Sequence, residues 1–176
     1  VDIDTPVSNP SEDGLTWATA YDTIQEGIDA AFTLGEPAEV WVAEGTYTDT
    51  SDPVVTMAEG VHLFGGFSAT ETARIQRDWV GNLTTIDGED ARRGVHGANN
   101  ATLDGFTVTR AYTSGHGGGM YNLSVSPTVS NCTFSNSSSG DNESGGGMYN
   151  SGGSPIITNC SFIGNSAGKG GGMANV

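Results

Sequence analysis

From residue 94 onward the apolar residues fall into columns that share one period. The apolar residue after each glycine run is Val95, Met120, Met148 or Met173, at steps of 25, 28 and 25 residues. A second column, Leu103, Val129 and Ile157, steps by 26 and 28. Three residues beyond each of these stands Phe106, Cys132 or Cys160, and two further on stands Val108, Phe134 or Phe162. Residues two apart share a strand face, so Cys132 and Phe134 point the same way, whereas Val129 and Cys132, three apart, cannot lie on one regular strand face. The phase breaks at Gly105, Asn131 and Asn159, residue types that tolerate positive φ at a bend. Each unit therefore reads as strand, corner, strand. The glycines of "GGGMYN" at 117–122 and 145–150 and of "GGGMAN" at 170–175 supply another corner, and "SSSGDNES" and "SAGK" absorb the difference in length as loops.

Strands this short, recurring about every 25–28 residues with no room for a helix of ten, bury their apolar faces only by coiling and stacking on the next turn. The pattern predicts an all-β parallel solenoid in which like residues stack about 4.8 Å apart, with Met148 and Phe162 facing inward. The first third differs. In "WATAYDTIQEGIDAAFTLGEP", Tyr21, Ile24, Ile28, Ala31 and Phe32 recur at helical spacing, and Gly35 with Pro37 supplies a stop. This predicts an α-helix that caps the solenoid, since an open sheet edge recruits other strands. Strands "EVWVAEGTY", "VHLFGGF" and "NLTTIDGED" follow, with "SATETARIQRDWVG" as an inserted loop or short helix. The chain reads as one domain over 1–176, with a cap and irregular first coils over 1–93 and regular repeats over 94–176.

Composition narrows the partners. Of 176 residues, 21 are acidic and 6 are Lys or Arg, giving a net charge of -15. Nucleic acid is disfavoured, because its affinity comes from cations that replace condensed counterions. Anionic membranes are disfavoured by the same sign, and no run approaches the roughly 20 apolar residues of a spanning helix.

Carboxylates are the first candidates for chemistry, because Ca²⁺ is held by acids and glycoside hydrolases use a pair of them. Asp87, Glu89 and Asp90 in "DGED", Asp104 beside Gly105, and Asp141 with Glu143 qualify, as does the acidic start "VDIDTPVSNPSED". Asp87, Asp90 and Asp104 are the named calcium candidates; Asp87 and Asp104 precede glycine and also fit plain turn chemistry, an Asp bonding its own backbone. No other cofactor is implied. Cys132 and Cys160 share a column, where both a bridge and a pair of buried thiols fit. Stacking near 4.8 Å exceeds the roughly 3.8 Å between Cβ atoms that a disulfide prefers. His62, His96 and His116 are scattered, and His116, in a glycine loop, reads as solvated. Trp17 and Trp41 read as packing the cap. Tyr121 and Tyr149 alternate with the inward methionines and form an outward stripe, a candidate contact for a glycan or a partner.

The ordered motifs "DGLTWATAYDTIQEGIDAA", "VWVAEGTY", "VHLFGGF", "RDW", "TTIDGED", "ATLDGFTVT" and the repeats "GGGMYN…SPTVSNCTFSNS" resemble those of secreted bacterial right-handed parallel β-helix proteins. The repeats are similar to those of the chlamydial polymorphic outer membrane proteins. That family's Phe-x-x-Asn element is matched by Phe162 and Asn165, while Phe134 is followed by Ser137 instead. The resemblance implies a right-handed parallel β-helix, an extracellular or cell-surface location, and a structural or adhesive role toward surface glycans or host proteins. The wider superfamily also contains polysaccharide lyases and hydrolases, so a carbohydrate-active or glycan-binding fragment is the alternative. Within 117–175 the only charges are Asp141, Glu143 and Lys169, which favours a non-enzyme. "VDID" alternates like a strand in progress and "GGGMANV" is as regular as its predecessors. The sequence thus reads either as a piece of a longer chain or as a unit whose ends self-associate into an oligomer or filament.

Overall fold

The computed structural model describes residues 1–2, 12–35 and 37–176. The strand expected over "VDID" and the acidic stretch that follows it lie, beyond Asp2, outside the described residues as far as residue 11.

The helix α1 spans Ile24–Leu34. Thr23 caps it: its Oγ1 accepts from the Glu26 N–H, and the Glu26 carboxylate accepts from the Thr23 N–H. Gly35, at φ 89°, ends it. Ile24, Gly27, Ile28 and Ala31 are buried against the first coil. A Cβ on Gly27 would stand 2.6 Å from Val1 and 3.0 Å from Val40, so glycine sets this close approach. Two parts of the helical expectation differ. Residues Trp17–Thr19 form a separate 3-10 turn, and Phe32 is exposed because one residue past Ala31 is about 100° further round.

Five coils follow, each contributing one strand to each of three parallel sheets. The first coil holds β1 (Ala38–Ala43), β2 (Gly45–Tyr47) and β3 (Val55–Thr56), and the second holds β4 (Val61–Phe67), β5 (Thr84–Asp87) and β6 (Val95–His96). The third holds β7 (Thr102–Asp104), β8 (Phe106–Thr109), a short β9 (Tyr112–Thr113) and β10 (Met120–Leu123). The fourth holds β11 (Thr128–Ser130), β12 (Thr133–Ser135), β13 (Ser138–Ser139) and β14 (Met148–Ser151). The fifth holds β15 (Ile156–Thr158), β16 (Ser161–Ile163) and β17 (Met173–Asn175). The sheets run β1-β4-β7-β11-β15, β2-β5-β8-β12-β16 and β3-β6-β10-β14-β17, and β9 pairs with β13 in a small fourth one. The segment "SSSGDNES" is thus not wholly a loop, since its first serines are laddered to the coil before.

The repeat columns are the registers of these sheets. Met120 pairs with Val95 and Met148, and Met148 with Met173. Val129 pairs with Leu103 and Ile157, and Phe134 with Val108 and Phe162. Gly105, Asn131 and Asn159 take φ of 82°, 54° and 50° at the corner between the first and second sheets. In the second coil that corner is opened by residues 68–83, which carry a 3-10 turn at Arg74–Gln76.

The glycine runs answer to the coil above. A Cβ on Gly119 would lie 2.3 Å from the Gly147 carbonyl oxygen, and one on Gly147 would lie 2.5 Å from that of Gly172. Side chains at this position would force neighbouring coils apart. Burial also follows the stack: Leu103, Val129, Met120, Met148 and Phe134 are fully enclosed, whereas Ile157, Cys160, Phe162 and Met173, in the same columns of the fifth coil, are only half-buried.

Candidate functional site

Three groups of polar side chains sit on this frame. The first is at the corner between the first and second sheets. Asp104 lies 2.5 Å from the Arg77 guanidinium, with the two side chains 12% and 9% exposed. It also accepts from the Ser130 hydroxyl at 2.5 Å and from the Asn131 amide at 3.1 Å, and Asn159 donates to Asn131 at 2.7 Å. Arg77 comes from the inserted segment 68–83 and lies over the rings of Phe64 and Trp79. Asp104 therefore does not bond its own backbone: it anchors the insert and heads an amide ladder running up the corner. Asp87 does make the turn bond, from the Glu89 N–H at 2.8 Å, and also takes Arg110 at 2.5 Å. Asp90 is 3.8 Å from Arg110, and Glu89 pairs with Arg92.

Asp87 and Asp90 thus share Arg110, while Asp104 lies apart on Arg77. Among the described residues no three His, Cys, Asp or Glu side chains gather as a metal site.

The second group is on the outer face of the third sheet. Tyr121 and Tyr149 stack with centroids 5.6 Å apart and planes within 7°. The stripe faces outward as its alternation demands, but it is roofed. His116 lies on Tyr149 at 4.4 Å and 8°, which leaves Tyr149 only 9% exposed. Tyr121 is flanked by His96 at 5.4 Å and by the Arg93 guanidinium at 4.9 Å. His116 is not simply solvated: its Nδ1 accepts from the Ser144 N–H at 3.0 Å and lies 2.9 Å from Glu143. Burial first, and the facing Arg93 second, hold the His96 imidazole below its ordinary range. Arg93, His96 and His116 were missed as a cluster from sequence. The signal for His96 was present, since "VH" at 95–96 aligns with "MY" at 120–121.

Trp41 stacks on Phe67 at 4.8 Å, and Trp17 meets the same ring at 5.6 Å while donating to the Glu71 carbonyl. Both also border the α1 residues Gly27, Ala30 and Ala31 across one cleft.

The third group lies inside. Asn122 donates to Asn150 at 2.8 Å and Asn150 to Asn175 at 2.7 Å. This inward amide ladder is the third residue of "MYN" and follows from the same alternation that turns Tyr outward. The fourth and fifth coils also hold two free thiols, Cys132 buried and Cys160 half-buried. Burial first, then the neighbouring Cys160, pushes the Cys132 thiol well up, and the neighbouring Cys132 lowers that of Cys160. Asn165 links the same coils: its amide donates to the Phe134 carbonyl at 2.8 Å and its oxygen accepts from the Ser137 N–H at 2.9 Å. Ser137, at the equivalent place one coil earlier, accepts from the Ala111 N–H at 3.2 Å, so the serine keeps part of the bracing that asparagine supplies.

These features define a parallel β-solenoid whose polar side chains run largely from coil to coil. No family model, curated protein or solved structure matches the chain. The likeness to bacterial and chlamydial repeat proteins rests on the sequence motifs alone.

Proposed function

We propose that the chain is a non-catalytic structural or adhesive solenoid module of a bacterial surface or secreted assembly. One observation carries this reading: Asp87 and Asp104, the acids best placed on the coils for lyase or hydrolase chemistry, are each bound by an arginine at 2.5 Å. The guanidinium groups occupy carboxylate oxygens that Ca²⁺ or a substrate would otherwise contact. The contact face is the outer third sheet, where Tyr121, His96 and Arg93 offer an amphipathic, partly cationic surface on an otherwise acidic chain. Such a surface suits a surface glycan or a host protein. Coils that stack through parallel strand pairing suit end-to-end association, in which strand addition extends the stack.

The purified chain, incubated with pectin, alginate and related polyanionic glycans with and without Ca²⁺, should release no unsaturated oligosaccharide. Reproducible release by the wild-type chain, abolished in a folded Asp104→Asn variant, would overturn the structural reading. Light scattering at tens of micromolar should show species larger than the monomer. A strictly monomeric chain removes the association arm.

A further inference from the structure

A cleft of about 650 Å³ lies between α1, β1 and the start of the insert. Its volume is that of a small-molecule site, roughly 300–1,000 Å³. Three aromatic side chains border it, Trp17, Tyr21 and Trp41, all of them half-buried. Phe67 lies parallel to Trp41 against one of its faces, and Trp17 is tilted by 46° to the same ring. Asp13, Glu39 and Glu71 also line the cleft, and no lysine or arginine does. Arg74, just outside, pairs with Glu39 at 2.8 Å. The other two acids meet only neutral donors. Asp13 accepts from the Thr19 hydroxyl at 2.6 Å and the Leu15 N–H at 3.0 Å, and Glu71 from the Ser68 N–H at 2.8 Å and the Thr70 N–H at 3.0 Å. Neutral donors orient a carboxylate without cancelling its charge.

We infer that this cleft binds a trimethylammonium group, held by the rings of Trp17, Tyr21 and Trp41 and by the charges of Asp13 and Glu71.

The chemistry of the lining selects this ligand. The negative face of an aromatic ring attracts a cation, and quaternary ammonium groups are the cations that sets of such rings bind. Both indole N–H groups are already spent, that of Trp17 on the Glu71 carbonyl at 3.0 Å and that of Trp41 on the Glu39 carboxylate at 2.9 Å. A sugar, which is fixed by directed hydrogen bonds, loses these two donors. An anion meets two uncompensated carboxylates. A trimethylammonium group has no N–H to satisfy, so methyl contact with the rings and the field of the acids suffice.

The net charge of -15 acts in the same direction at longer range, since it raises the concentration of any small cation near the surface. The Val1 amine also lines the cleft and donates to the Trp41 carbonyl at 2.7 Å. Burial brings it down to about 6, so it is uncharged in mildly alkaline solution and does not oppose a bound cation there.

The test titrates the full chain, in mildly alkaline buffer, with choline and with dimethylbutanol, its neutral isostere with carbon in place of the nitrogen. Nuclear magnetic resonance follows the indole N–H signals of Trp17 and Trp41, which border the cleft, and of Trp79, which does not. Choline should shift the first two saturably, leave the third in place, and bind about tenfold more tightly than the isostere. Asp13→Asn, at an exposed side chain, should keep the fold and weaken choline binding several-fold. Phosphatidylcholine vesicles separate the sources: co-sedimentation of the chain assigns a lipid head group, and choline binding without it assigns a free solute. Equal affinity for choline and the isostere, the absence of a saturable shift, or choline binding unchanged in a folded Trp17→Leu variant would overturn the proposal.

Discussion

His96 shows at the scale of one residue how the outer face depends on charge. It pairs across the sheet with Tyr121, and its Nε2 stands 2.9 Å from the Arg93 guanidinium. Arginine only donates, so this nitrogen is the acceptor and the ring is neutral. Because His96 is held below the ordinary 6.5, the unfolded chain binds this proton more readily than the folded one. The contribution of His96 to stability is present above the unfolded value and is lost as pH falls from there toward the depressed folded value. Denaturant midpoints measured from about pH 7.5 to about pH 5.5 should therefore fall more steeply for the wild type than for His96→Gln. Parallel profiles for the two proteins would contradict the assignment. The cluster around this residue was only partly legible in the sequence. The column placed His96 beside Tyr121, but nothing in the spacing showed that Arg93 would turn back onto the same face. Nor could it show Arg77, more than twenty residues from Asp104 and on an inserted loop, as the partner of that acid.

For the elements, the strands carry the parts of the fold that sequence reveals best. Alternation and a three-residue phase break mark the corner at Gly105, Asn131 and Asn159 because a pleated strand has a period of two and only special residues turn it. The inward asparagines of the "MYN" strands obey the same rule, yet amides look like surface residues until the ladder that joins them from coil to coil is seen. The aromatic column makes the packing quantitative. Phe134 is fully enclosed and stacks on Phe162 at 5.2 Å, while Phe162 has a coil on one side only. Phe134→Ala should cost about 3–5 kcal/mol, and Phe162→Ala should cost clearly less, because the site at the edge is already partly hydrated. Equilibrium urea unfolding of both variants measures the difference. Equal costs would place Phe162 in a fully covered core.

On the scale of the whole molecule, the chain is a stack in which each coil is held by its neighbours through apolar columns, amide ladders and backbone bonds. The helix α1 closes the first coil over Ile24, Ile28 and Ala31, and the fifth coil leaves its columns half-covered. Five coils carrying the same columns make one direct measurement available, because one repeat position meets different neighbours at different heights. A Cβ at Gly119 or Gly147 would meet the carbonyl of the next coil at 2.3 or 2.5 Å, whereas one at Gly172 would meet only the Phe162 side chain at 3.4 Å. All three glycines lie outside the positive-φ region, so alanine brings no backbone strain of its own. Urea unfolding of Gly119→Ala, Gly147→Ala and Gly172→Ala therefore reads the stacking itself. A stacked solenoid predicts marked destabilisation, or failure to fold, for the first two and a midpoint close to wild type for the third, whereas equal tolerance at all three positions would contradict it.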